Sequence, residues 1–344
     1  MYSNLLNQSV RVRMGFLTLV CSAFAGCVGV PSGPESVAVT RTQMQMGTLV
    51  KITAVARSES IAQAAATTAF AEIHRLEALL STWISTSELS RVNTLAGVRP
   101  VPVSPETMTV VQGAIQVAEI TDGGFDITIG PAVDVWDVIE DRRVPTESEL
   151  EALRALVDLK SVQVDLQAQT IFLKKTGMRI DVGGIGKGYA ADQAVMAMKK
   201  AGASAGVVAL SGDIKAFGQL PGGGKFSVGI QHPRKEGEVL VFIDLENEAI
   251  STAGDYERFF ERDGVRYHHI LNPHTLQPAR GCQSVTVIAR EGIWADGLDT
   301  GIFVMGAELG LQLVEALPDV EAIIVDHEGS VHVSSGLRDR IRKP

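Results

Sequence analysis

The run Ile180-Asp181-Val182-Gly183-Gly184-Ile185-Gly186-Lys187-Gly188-Tyr189-Ala190-Ala191-Asp192 constrains this chain most. An apolar strand end enters a turn holding four glycines in six residues and leaves as a helix, with Lys187 inside the turn. Glycine lets the backbone take positive φ and approach another group closely. The new helix start presents unpaired N–H groups to an anion. Two uses fit: a phosphate cradle, with Lys187 supplying charge, or tight packing of backbone against backbone. The spacing matches neither a Walker A loop, which needs a trailing Ser/Thr, nor G-x-G-x-x-G.

A second group of residues lies downstream. In Ala295-Asp296-Gly297-Leu298-Asp299-Thr300-Gly301, Asp296 and Thr300 are four apart and share one face of a helix. They offer two hard oxygens of the kind Mg²⁺ prefers, or else a dipole-stabilised helix carboxylate and a buried hydroxyl. In His268-His269-Ile270-Leu271-Asn272-Pro273-His274-Thr275 the two histidines point to opposite faces if the segment is a strand. One of them then packs and the other reaches a site, unless both are structural.

Together with Met46-Gly47-Thr48 and Gly123-Gly124-Phe125-Asp126-Ile127-Thr128, these segments occur in the order found in the ApbE family of flavin transferases, which this chain resembles from about Val39 to about Ser335. The resemblance implies cleavage of FAD with Mg²⁺ and attachment of FMN to a protein threonine through a phosphoester, with release of AMP. It implies an α+β or mixed α/β fold, as a single large T-fold-like domain with mixed sheets flanked by helices. By the same carry-over His269 is the catalytic base. Met46, Trp83, Gly124, Phe125, Asp126, Asp181, Lys187 and Ile270 contact the cofactor. Asp296 and Thr300, with the carbonyls of Gly184 and Asp299, hold Mg²⁺; Mn²⁺ would accept the same oxygens. This chain departs from the family at Asp299, where a small residue is usual, and at Leu276, where glycine is usual. The implied acceptors are exported flavoproteins such as subunits of redox-driven ion pumps. Two other activities remain open: an FAD pyrophosphatase giving FMN and AMP, and a non-enzymatic FAD-binding lipoprotein.

Composition supports an exported globular protein. The 344 residues are 45% hydrophobic and 21% charged, with a net charge of −9. A basic stripe for nucleic acid is not expected on such a chain. Arg11 and Arg13 precede an apolar run from Met14 to Ala25, too short for an ordinary membrane span, which ends in Phe24-Ala25-Gly26-Cys27. The expectation is a lipoprotein signal over residues 1–26, with Cys27 acylated and the protein a bacterial membrane lipoprotein facing the periplasm; a signal peptide with Cys27 incidental is the alternative. A Pro/Gly/Ser tether over 27–38, a transferase domain over 39–335 and a tail over 336–344 complete the expected organisation. Periodicity predicts a strand over Leu49–Val55 and helices over Ile61–Leu80, from Ser104 onward, over Pro145–Val157, Trp294–Met305 and Ala307–Leu317.

Overall fold

Alternating apolar residues build the central element. In Ala205–Leu210, Val208 and Leu210 face one side of a sheet and Ala205 and Val207 the other, all of them buried. The computed structural model describes residues 36–344; the signal segment and Cys27 lie outside them. Eight strands pair in the order Val37–Gln45, Thr48–Ala56, Ala205–Leu210, Asp213–Phe217, Ala249–Gly254, Cys282–Ala289, Val320–Asp326 and Val331–Val333. Every pairing among them is antiparallel, so the mixed sheets expected from sequence resolve into an α+β arrangement. All eight residues of Cys282–Ala289 are buried, because both faces of this sheet are covered.

Helices cover one face. Glu59–Leu80 starts at Ser58, whose side chain accepts from Ile61 N, and lays Ala62, Ala65, Ala66, Ala69, Ile73 and Leu76 onto the core. Pro105–Ile120 starts at Ser104 as its capping residues predict. Gly186–Lys200, Gly292–Met305 and Ala307–Ala316 complete this layer. The opposite face carries a small sheet of Phe226–Gln231, Val239–Leu245 and Ile341–Arg342. Phe226, Ile230, Ile243 and Leu245 from that small sheet pack against Val207, Ile214, Ile250 and Ile288.

Three boundaries differ from the sequence expectation. The helix expected over Pro145–Val157 runs only over Glu147–Leu153, fixed at its start by a capping box between Thr146 and Glu149, and then tightens into a 3₁₀ turn. The helix expected from Trp294 begins two residues earlier, because Asp192 of another helix caps the N–H groups of Gly292 and Ile293. The last nine residues, expected as a tail, are tied to the domain: Leu337 is buried, and Ile341–Arg342 pairs with the Val239–Leu245 strand.

Candidate active site

The glycine turn and the acidic helix meet where two helix starts cross. A Cβ on Gly188 would run into the carbonyl of Gly292 and lie 2.7 Å from Asp296 Cβ. Only glycine permits that approach, so the packing use of the turn is real. It also serves the acidic residue: Gly188 N donates to Asp296 Oδ2 at 2.8 Å. Gly184 sits between Phe125 and Thr300, since a Cβ there would lie 3.2 Å from Phe125 Cε2 and 3.1 Å from Thr300 Oγ1.

Asp296, Asp299 and Asp213 bring carboxylate oxygens within 4.8 Å of one another, and all three are buried. Asp213 arrives from the sheet. In Asp213–Phe217 the alternation sends Ile214 and Ala216 to the far face, which leaves Asp213 under the helices. Ser251 Oγ lies 2.5 Å from Asp213 Oδ1 and 2.6 Å from Asp299 Oδ2. One hydroxyl proton serves only one of these oxygens, so the other contact requires a proton on the carboxyl or a cation. Thr300 Oγ1 donates to Asp299 Oδ1 at 3.0 Å.

The electrostatics follow from burial. Desolvation, with Asp213 adding repulsion, pushes the Asp296 carboxyl up to about 7. Desolvation and the charges of Asp296 and Asp213 raise Asp299 well above the carboxylate range. Lys187 forms an ion pair with Asp213. Burial alone would depress its ammonium, but the charges of Asp213, Asp296 and Asp299 outweigh it, and Lys187 stays protonated. Three buried acidic side chains beside one ammonium, two of them shifted toward the protonated form by burial and by one another's charge, offer hard oxygens that suit Mg²⁺.

The remaining motifs gather around this cluster. Asp181 N donates to Ile127 O at 2.8 Å, and Asp181 Oδ1 accepts from Gly183 N at 2.7 Å, which ties the turn to the Asp126 loop. Asp126 caps its own loop by accepting from Thr128 N and Thr128 Oγ1, both at 2.7 Å. A Cβ on Gly124 would lie 2.8 Å from Gly301 O. Thr82 Oγ1 donates to Asp181 Oδ2 at 3.4 Å, placing Trp83, 83% exposed, at the rim of the glycine turn. Met46 has φ +49 and donates its N–H to Glu77 Oε1 at 2.7 Å, in the turn between the first two strands.

The paired histidines separate as strand geometry requires. His268 is buried: Ile270 N donates to its Nδ1 at 3.3 Å, so its Nε2–H donates to Ala279 O at 2.7 Å. His269 is exposed, with Nδ1 3.3 Å from Arg258 O. An Nδ1–H donated to that carbonyl leaves Nε2 as a free acceptor. Desolvation, with the charge of Arg258, holds its imidazole well below the usual range, so it is neutral at physiological pH.

The structure gives several sequence-derived positions particular surroundings. Lys187, expected against a phosphate, is engaged with Asp213. Asp299 turns its side chain into the cluster. Ile270 is buried, and its N–H donates to His268 Nδ1 at 3.3 Å. Leu276 holds φ +58, the left-handed conformation that favours glycine, and its side chain is fully buried with Trp136 and Phe260. The backbone conformation is therefore kept without glycine, at a cost offset by core burial. Sequence reasoning missed Asp213, Ser251 and Asp192; the two-residue alternation of Asp213-Ile214-Lys215-Ala216-Phe217 was the available signal for the first.

A buried set of hard oxygens beneath a glycine-rich helix start, inside an antiparallel α+β domain, is a group that could hold a metal ion. Comparison places it in a family. Residues 46–324 match the ApbE family. An FAD:protein FMN transferase of Klebsiella pneumoniae is 34% identical over 303 residues, spanning 86% of this chain and 87% of its own. One from Treponema pallidum is 31% identical over 349 residues, 96% of this chain and 95% of its own. The crystal structure of the ApbE protein of Thermotoga maritima superposes with a TM-score of 0.82 at 32% identity, covering 89% of this chain and all of that one. This chain belongs to the ApbE family.

Proposed function

We propose that this protein is an Mg²⁺-dependent FAD:protein FMN transferase that esterifies FMN to a threonine of an exported flavoprotein and releases AMP. The observation that carries the reading is the buried cluster of Asp213, Asp296 and Asp299 with its Lys187 ion pair, in a chain of the ApbE family. Asp296, Asp299, Asp213 and Thr300, with the Gly184 carbonyl, would hold the metal. When bound, Mg²⁺ neutralises charge on the pyrophosphate and on the leaving AMP.

His269 Nε2 takes the proton of the acceptor threonine as its oxygen attacks the FMN phosphorus. The bond from that phosphorus to the bridging oxygen breaks, and AMP leaves with the bridging oxygen. General-base assistance of this kind contributes about 10²–10⁴-fold. Trp83 and Phe125 offer aromatic surface to the flavin or adenine ring, and Met46 a polarizable thioether. Gly124, Asp126 and Asp181 shape the loops that receive FAD, and Lys187 balances the acidic cluster beside its phosphates.

Incubation with FAD, Mg²⁺ and an acceptor domain tests the reading. The intact mass of the acceptor should rise by one FMN residue, with one AMP formed per transfer. FMN and AMP appearing with an unmodified acceptor would make the protein a pyrophosphatase, and stable FAD with no AMP would make it a carrier. We further propose that Cys27 anchors the protein, by its lipid, to a membrane facing the periplasm. Among the described residues no helix is long and apolar enough to cross a membrane. Cys27→Ser should release the protein in soluble form with its FAD chemistry intact; a membrane-bound variant would overturn the anchor.

A further inference from the structure

We propose that the recess beside the Val265–His268 strand, on the face its Arg266 and His268 share, is a second binding site, for a compact oxyanion: a phosphate or a carboxylate. Strand alternation creates it. In Val265–His268, Tyr267 turns toward Trp136 and Phe260, while Arg266 and His268 point to the other face. There they line a cavity of about 300 Å³ together with Arg234, Asp255, Arg280 and Cys282.

The charge of this lining opposes that of the molecule. The protein carries −9 overall, whereas the cavity holds three guanidinium groups and one carboxylate. Arg234 and Asp255 cancel in a bidentate pair at 2.7 and 2.6 Å. Arg266 lies over the Phe259 ring and makes only long contacts, from Nε and Nη2 to the exposed Glu261 at 3.4 and 3.2 Å and from Nη1 to Asp255 at 3.4 Å. Arg280 donates to the Arg266 carbonyl at 2.7 Å and lies over the Tyr267 ring; among the described residues no carboxylate pairs with it. Arg266, whose ion-pair contacts are all 3.2 Å or longer, and Arg280, which no carboxylate pairs, therefore retain N–H capacity at the lining of one small cavity. Neither neighbour opposes an anion. His268 is neutral with both ring nitrogens engaged, and burial keeps Cys282 a thiol.

The planar fork of arginine matches carboxylate and phosphate oxygens two at a time, which selects this class over halides or neutral ligands. A cavity of this size stands at the lower limit for small-molecule sites, so it takes a single charged group rather than a flavin nucleotide. Two sources supply that group: free phosphate, including the phosphate of AMP, and the acidic side chain of a polypeptide approaching His269, the residue that follows this strand. The proposal rests on this geometry alone and stands or falls independently of the transferase reading.

Calorimetric titration of the full chain, without FAD or Mg²⁺, separates the sources with three probes: inorganic phosphate, AMP and a blocked aspartate (N-acetyl-aspartyl-amide). At least one should bind saturably with a Kd of about 1 mM or tighter. Arg266→Gln combined with Arg280→Gln should weaken that binding about 10-fold or more with an unchanged Tm, while His269→Ala and Lys187→Met should bind as the parent does. Phosphate and AMP binding together assign the site to a free phosphate; aspartate binding assigns it to an acidic polypeptide. If the double variant does not fold, Arg280→Gln alone carries the test, since its guanidinium has no carboxylate to strand. Absence of saturable binding by every probe overturns the proposal, leaving the arginines as purely structural. So does binding indifferent to the arginine changes, or binding abolished by Lys187→Met, which would place the anion in the flavin site.

Discussion

The two faces of the eight-stranded sheet are built on opposite terms. On the far face, Phe226, Ile230, Ile243 and Leu245 meet Val207, Ile214, Ile250 and Ile288 in an apolar sandwich. On the helical face, alanine and glycine let backbones close together, and Asp213, Ser251, Asp296 and Asp299 stand buried between sheet and helices. The first face uses area removed from water, at roughly 25 cal/mol per Å². The second gives up part of that gain to hold charges whose desolvation must be offset by Lys187, Gly188 N and Ser251. Stability and chemistry are thus separated across one sheet, and a residue's face forecasts which of the two a substitution will damage.

His269→Ala attacks the working face and should have the largest effect. Transfer should fall about 10²–10⁴-fold in kcat, with FAD affinity and Tm near those of the parent. Single-turnover kinetics beside FAD titration would check it. A variant that transfers at the parent rate removes His269 as the base.

Ile243→Ala attacks the far face. Its side chain is fully buried, so truncation should cost about 2–5 kcal/mol in denaturant unfolding, while kcat of the remaining folded protein stays unchanged. A proportional loss of kcat would mean that the two faces are not independent.

His268 sharpens the contrast between neighbours in sequence. Burial pushes its imidazole down to about 4. Below about pH 6.5 the unfolded chain takes up a proton there that the native state does not, so stability present above that pH is lost as pH falls toward 4. The span amounts to roughly 3 kcal/mol. Asp296, raised by burial, acts with the opposite sign, gaining native stability as pH falls through about 7. The difference between parent and His268→Gln in unfolding free energy against pH isolates the histidine: the variant should gain stability relative to the parent as pH falls from 6.5 to 4. Parallel profiles would show that His268 is not protonated on unfolding.

Trp83→Ala should give the smallest effect. A rim aromatic, 83% exposed, contributes about 0.5–1.5 kcal/mol when it stacks on a ring. FAD affinity should weaken by up to about 10-fold with no change in Tm; unaltered affinity would leave Trp83 outside the site.

Much of this arrangement was legible before any coordinates. Ser104-Pro105 announced a helix, and the helix spacing of Asp296 and Thr300 put both on one face. The adjacency of His268 and His269 forced them apart. What stayed hidden was whatever depends on a distant partner. Asp213 escaped the sequence reading because its three acidic and hydroxylic neighbours lie 38 to 86 positions away in the chain. Leu276 read as a departure because only the packing around Trp136 explains a bulky residue at positive φ.

Local chemistry by itself therefore determined the elements, their caps, the glycine-rich helix start and the division of the histidine pair, since those depend on backbone conformation and side-chain period. The tertiary structure alone decided that Asp192 starts another helix, that Lys187 faces Asp213, and that Ser251 stands between two carboxylates. Those contacts arise where the helical layer meets the sheet, and no window of sequence contains both sides of that meeting.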